Sequence, residues 1–151
     1  MSTAPEAANV RQAVPFFGIT SMERSLRYYV DGLGFTMTLQ WMDEGKLRWC
    51  WLERGGAALM LQEYRPGRVP AVKLGEGVSV CFICDDAIAL YHEFTARGIE
   101  TQHPFVGNGM WDVGLVDPDG YSLHFESVTG VPEETRYSEA EHSHRTAVAA
   151  S

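Results

Sequence analysis

The sequence predicts an α+β fold: two tandem βαβββ modules whose curved sheets surround a cleft, with the helices outside. Three observations predict it. The order strand, helix, three strands is legible twice along the chain. Sliding the sequence by 64 residues superposes Leu26 on Leu90, Gly34 on Gly98, Gly56 on Gly120 and Leu59 on Leu123 without a gap, and brings Val30 to Phe94, Phe35 to Ile99 and Leu61 to Phe125. Helix ends and core positions therefore repeat together. Finally, Trp111 to Glu126 reads as strand, tight turn, strand around Asp117-Pro118-Asp119-Gly120. Pro118 presets φ for the turn and Gly120 supplies a positive φ at no steric cost.

Residues 1–12 are small and polar and read as an N-terminal arm. Module one spans 13–64. Val14 to Ile19 is its first strand, with Pro15 near the start, where a ladder tolerates it. Thr20-x-x-Glu23 has the form of a capping box, and Met22, Leu26, Tyr29, Val30 and Leu33 then share one helical face that Gly34 closes. Phe35, Met37, Leu39 and Trp41 alternate with polar residues, the pattern of a half-buried strand. Leu47–Leu52 and Ala57–Gln62 flank an Arg54-Gly55-Gly56 hairpin. Residues 65–77 hold two prolines and three glycines and read as a linker.

Module two spans 78–127 and repeats the order. Val78 to Cys84 is a strand, Asp85 or Asp86 caps a helix with Ala87, Leu90, Tyr91 and Phe94 on its apolar face, and Gly98 ends it. Strands near Ile99–Phe105, Trp111–Val116 and Tyr121–Glu126 follow. In the last of these Leu123 and Phe125 point one way, Ser122, His124 and Glu126 the other. One face is built for a core and the other for chemistry or a ligand. Residues 128–151, rich in Glu, Ser, Ala and His, read as an arm or disordered tail.

Composition excludes several function classes. A chain of 151 residues that is 45% hydrophobic and 21% charged has material for an ordinary core. No apolar run approaches a membrane span, and Met1 to Arg11 lacks a signal-peptide core. A net charge of −8 argues against nucleic acid or an anionic membrane as partner and suits a cationic ligand. Three cysteines, all on strands, make no disulfide framework, so a reduced, cytoplasmic protein is expected.

The doubled βαβββ pattern with Ser25-Leu26-Arg27-Tyr28-Tyr29-Val30-Asp31-Gly32-Leu33-Gly34-Phe35 and Asp117-Pro118-Asp119-Gly120 resembles the vicinal-oxygen-chelate superfamily of glyoxalase I, extradiol dioxygenases, fosfomycin-resistance enzymes and bleomycin-resistance proteins. The likeness covers roughly residues 13–127. It implies a cleft formed by the two modules and, commonly, a homodimer. Enzymes of the group hold a divalent ion on His, Gln or Glu of the inner strands. Carried over, those positions fall near Val14-Pro15, at Met60, at Ser79 and at His124. Only His124 is a good donor to a hard ion, so the resemblance points to the metal-free bleomycin-resistance-like branch, whose last strand also carries His-Phe after an Asp-Pro-x-Gly turn.

The candidate ligand-binding residues are Phe16, Met60, Ser79, Cys81, His103, Trp111, Ser122, His124 and Glu126. His124 and Glu126 are also the candidate catalytic pair, since an imidazole beside a carboxylate can move a proton near neutral pH; a satisfied polar floor is the alternative. Trp49 and Trp51 offer either core packing or stacking surfaces, and Trp111 follows the Gly107-Asn108-Gly109 loop, which would give it freedom to meet a ligand. Cys81-x-x-Cys84 has metal-like spacing, but residues three apart on a strand face opposite ways. His92 is expected in solvent, and His142 and His144 lie in the tail.

These readings lead to a homodimer that binds and sequesters an amphipathic, aromatic or cationic small molecule or antibiotic, with no cofactor. The alternative is an enzyme: a lyase, isomerase or dioxygenase with one divalent metal ion in an atypical site (His103, His124 and Glu126 being its best donors), or a metal-free acid/base catalyst using His124 and Glu126.

Overall fold

Two sheets of the same topology carry the chain. In the computed structural model, which describes residues 9–138, module one comprises β1 (Phe16–Ile19), α1 (Met22–Leu26), β2 (Thr36–Asp43), β3 (Lys46–Arg54) and β4 (Ala57–Glu63). Module two comprises β5 (Ser79–Ile83), α2 (Ala87–Ala96), β6 (Phe105–Gly107), β7 (Met110–Val116) and β8 (Ser122–Val128). The sheet orders are β1-β4-β3-β2 and β5-β8-β7-β6, so the repeat read in the sequence is a repeat in space. In each, the first strand runs parallel to the last and the others are antiparallel. Gly34 and Gly98 end the two helical segments with the same φ of +79°, a left-handed conformation that costs glycine nothing.

Local chemistry adjusts the expected elements. The N-cap of α1 is Ser21, whose hydroxyl accepts from the Arg24 amide at 3.2 Å; Thr20 instead donates its hydroxyl to Asp119 at 2.5 Å. A wider π-helical turn, Arg27–Gly32, continues α1. It shifts the helical phase, so Met22, Ser25, Tyr29 and Leu33 are buried while Leu26 and Val30 are only partly covered. The strand expected from Ile99 shortens to Phe105–Gly107, because Pro104 has no N–H to give a ladder. Asp86, the N-cap of α2, accepts from the Ala89 amide at 3.0 Å.

The core forms between the helices and one face of each sheet, and it is continuous across the modules. Phe17, Tyr29, Leu59 and Leu61 join Phe82, Phe94, Leu123 and Phe125 in one cluster. Phe17 stacks on Tyr121 with centroids 4.1 Å apart, and Phe35 meets Phe82 edge-on at 5.7 Å. Tyr29 donates its hydroxyl to the buried Asp117 carboxylate at 2.7 Å. At the rim, Arg54 donates to both oxygens of Glu93, at 2.6 and 3.1 Å.

That fork sets a pH-dependent contribution. The Arg54 hydrogen bond, opposed by partial burial, holds the Glu93 carboxyl below its ordinary range. A carboxylate with a depressed folded-state pKa stabilises the fold above its unfolded pKa, and the contribution fades as pH falls through the folded one. Glu93→Gln is therefore expected to cost about 1 kcal/mol at neutral pH. Urea unfolding at a series of pH values should show wild type and variant converging on the acid side.

One expectation for the tail is corrected. Part of the stretch expected as an arm from residue 128 is held to module two: β8 runs to Val128, and Phe105 pairs with Arg136. The Tyr137 side chain is buried against Trp111 and lies 3.0 Å from His92 Nε2. His92 is exposed on α2, as expected, with the Tyr137 hydroxyl at its edge. His142 and His144 lie outside the described residues, as does most of the N-terminal arm. No helix among the described residues is long and apolar enough to cross a membrane.

Candidate functional site

Each sheet leaves one face uncovered by helices, and cross-strand pairing fixes what stands there. On sheet one, Phe16, Met60, Trp51 and Leu39 pair in succession, forming an apolar row; Gly18, Gln62, Trp49 and Trp41 form the next. Phe16 is 52%, Leu39 56% and Trp41 47% exposed. The alternation of β2 predicts a half-buried strand, and here that is corrected: β2 is the outer strand, and Leu39 and Trp41 stand exposed with nothing over them among the described residues.

On sheet two, Cys81, His124 and Gly114 form one row, and Ile83, Glu126, Asp112 and Phe105 the next. Ser79, Ser122 and Val116 form a third. Asp112, His124 and Glu126 offer ligand atoms all within 4.8 Å of one another. His124 Nδ1 lies 2.8 Å from Asp112 Oδ1. A carboxylate oxygen accepts, so Nδ1 carries the proton. In the neutral ring Nε2 is then left with a lone pair, the arrangement of an oriented base or hydrogen-bond acceptor. The Cys81 thiol lies 4.0 Å from Glu126 Oε1. Burial, reinforced by Glu126 and Asp112, pushes its pKa up. A thiol held protonated is no nucleophile.

Of the residues expected at the site, Phe16, Met60, Ser79, Cys81, Ser122, His124 and Glu126 all stand on the open faces. Trp111 does not: it is 7% exposed, on the core-facing side of β7 against Tyr137. Its loop is a tight hairpin, with Asn108 and Gly109 at φ of 55° and 73°, so the freedom expected of it is not there. His103 is also elsewhere, its Nε2 donating to the Tyr137 carbonyl at 2.7 Å. A cleft of about 950 Å³ does lie between the modules, but Cys81 is the one expected residue lining it, beside Pro15, Phe35, Arg54 and Phe82.

Asp112 was missed. The hairpin register could have found it: with Val116 opposite Ser122, counting back along β7 sets Asp112 opposite Glu126. The pairing also sets the first-strand register. Phe16 lies opposite Met60 and Cys81 opposite His124, so these four side chains stand level with one another on the open faces. The set Phe16, Met60, Cys81 and His124 does not fit a hard divalent ion. A phenyl ring, a thioether and a thiol leave one imidazole in that set, so a hard ion here would rest on Asp112, His124 and Glu126 instead.

Paired βαβββ modules with one open, side-chain-rich face per sheet define the scaffold class. The chain belongs to the glyoxalase/bleomycin resistance protein/dioxygenase superfamily, whose sequence profile matches residues 15–125. No curated protein matches it in sequence. Among solved structures, it is similar to a bleomycin-binding protein in complex with bleomycin, at 25% identity and a TM-score of 0.62, over 80% of this chain and 100% of that one. A bleomycin resistance determinant encoded on transposon Tn5 is 26% identical at a TM-score of 0.62, over 79% and 98% of the two chains. TioX from Micromonospora sp. ML1 shares the fold at 20% identity and a TM-score of 0.64, over 80% and 100%.

Proposed function

We propose that this protein binds and sequesters an amphipathic small molecule with aromatic and cationic groups, an antibiotic of the kind its bleomycin-binding relatives hold, without a metal ion and as a homodimer. The observation that carries the reading is the open face of sheet one. Four aromatic rings, Met60 and Leu39 stand there in two rows, partly or largely in solvent. An uncovered apolar face of this kind on a folded chain marks a binding surface. The sister sheet supplies the complementary charge. Asp112 and Glu126 attract a cation, and the His124 Nε2 lone pair accepts a hydrogen bond from it. In the homodimer, a partner's open face closes over each of these, and the ligand lies between an aromatic wall and an acidic one. Such a site needs no chemistry to work: holding the ligand lowers its free concentration.

A second reading has one observation in its favour. Asp112, His124 and Glu126 converge closely enough to hold one divalent ion, with Asp112 in the place given to His103 in the sequence reading; that geometry would serve an enzyme. Calorimetric titration of chelator-treated protein separates the two readings, because binding without metal is expected for a sequestering protein and is lost in a metal-dependent one. Elemental analysis of untagged protein is expected to find no stoichiometric Zn, Mn, Ni or Fe.

A further inference from the structure

A second hollow, of about 410 Å³, opens at the end of sheet one; it shares Phe16 and Trp41 with the open face and is lined by none of Asp112, His124 and Glu126. Phe16, Trp41, Tyr64 and Tyr121 give it aromatic walls, and Arg48 and Arg68 give it charge. Tyr121 is fixed by its stack on Phe17 and by donating to the Gly18 carbonyl at 2.8 Å. Tyr64 lies over Gly18, where an added Cβ would fall 2.2 Å from its hydroxyl oxygen. Tyr121 is thus a fixed wall, and Tyr64 packs directly on the Gly18 backbone.

Arg48 is the anomaly. Its side chain is 13% exposed, and its Nε and Nη1 are buried without a hydrogen-bond partner. The nearest carboxylate, Glu63, is 3.8 Å from Nη1 and is already engaged by Lys46 and by the Met22 amide, which donates to it at 2.7 Å. One carboxylate facing both Lys46 and Arg48 leaves a positive charge uncompensated. Arg65 is matched by Asp43 at 3.0 Å, but Arg68 forms no ion pair among the described residues. In a chain of net charge −8 this is a local cationic surplus. A desolvated guanidinium with unused donors is costly unless an anion completes it.

We infer that this hollow binds a small planar molecule bearing an oxyanion, either a carboxylate or a phosphate ester, with its ring against Trp41 and Phe16 and its charge on Arg48 and Arg68. The inference does not rest on the cation-binding role of Asp112 and Glu126, and it stands if that reading fails. Guanidinium matches both oxyanions, and the aromatic walls select a ring over an inorganic ion.

The test is a titration of the full chain with benzoate, phenyl phosphate and benzamide, followed by NMR at the Arg48 Nε–H and Trp41 indole N–H. Saturable movement of both signals by benzoate or phenyl phosphate is expected, and the better of the two identifies the oxyanion. Benzamide should leave the Arg48 signal in place. Arg48→Met is expected to weaken oxyanion binding about tenfold, and Arg68→Gln at the mouth by less. Arg27→Gln, on the exposed side of the helical segment and paired with Glu23, should not change it. If Arg48→Met does not fold, Arg68→Gln and the wild-type Arg48 signal still decide. Equal effects of benzamide and benzoate at the Arg48 signal, or no movement of it by either oxyanion, would overturn the inference.

Discussion

Asp117→Ala is expected to lower stability by about 3 kcal/mol. Asp117 belongs to the turn between β7 and β8, yet it holds both modules. Its Oδ1 accepts from the Asp119 and Tyr121 amides, each at 2.9 Å, which shapes the turn. Its Oδ2 accepts the hydroxyl of Tyr29, a fully buried residue of the other module. Alanine strands that hydroxyl in the core and frees two turn amides at once. For a domain of this size the melting temperature should fall by roughly 8 °C, measured by calorimetry.

Asp117→Asn refines the prediction, since it keeps one acceptor oxygen and should cost less. Burial pushes the Asp117 carboxyl up despite its three donors. A carboxylate raised on folding binds its proton more tightly in the native state, so its contribution to stability declines as pH rises through the range between unfolded and folded pKa. Wild type should therefore gain on Asp117→Asn as pH falls through that range. A wild-type advantage that shrinks there would contradict the assignment.

The paired substitution Asp112→Asn with Glu126→Gln is expected to weaken binding of a cationic aromatic ligand by about 2 kcal/mol, close to thirtyfold. Both carboxylates stand on the open face of sheet two around His124. Their removal leaves the aromatic rows of sheet one untouched. Residual affinity should then be insensitive to salt, whereas wild-type affinity should fall as ionic strength rises. Titration at two salt concentrations measures both effects. An unchanged wild-type-like affinity in the variant would mean that the cation, if the ligand has one, sits elsewhere.

The fold was legible because its signals are local and doubled. The repeat of Gly34 at Gly98 and of Leu59 at Leu123 required only the sequence, and both copies took the same topology. The open face of β8 was equally legible, since alternation alone sends Ser122, His124 and Glu126 to one side. What alternation cannot supply is which face has a covering layer. Leu39 and Trp41 have the pattern of core residues and stand in solvent, while Trp111 faces the core. The partner of His124 was illegible for a related reason: Asp112 becomes its neighbour only through the register of a hairpin. Arg48 gave no sign at all, because a lone arginine on a strand says nothing about whether its carboxylate is already taken by Lys46.

Calorimetric titration of a bleomycin-type cationic aromatic glycopeptide into protein stripped with EDTA tests metal-free sequestration directly. Saturable binding, undiminished by the chelator, is expected, with one ligand per chain. Binding that disappears with EDTA and returns when a divalent ion is restored would contradict it.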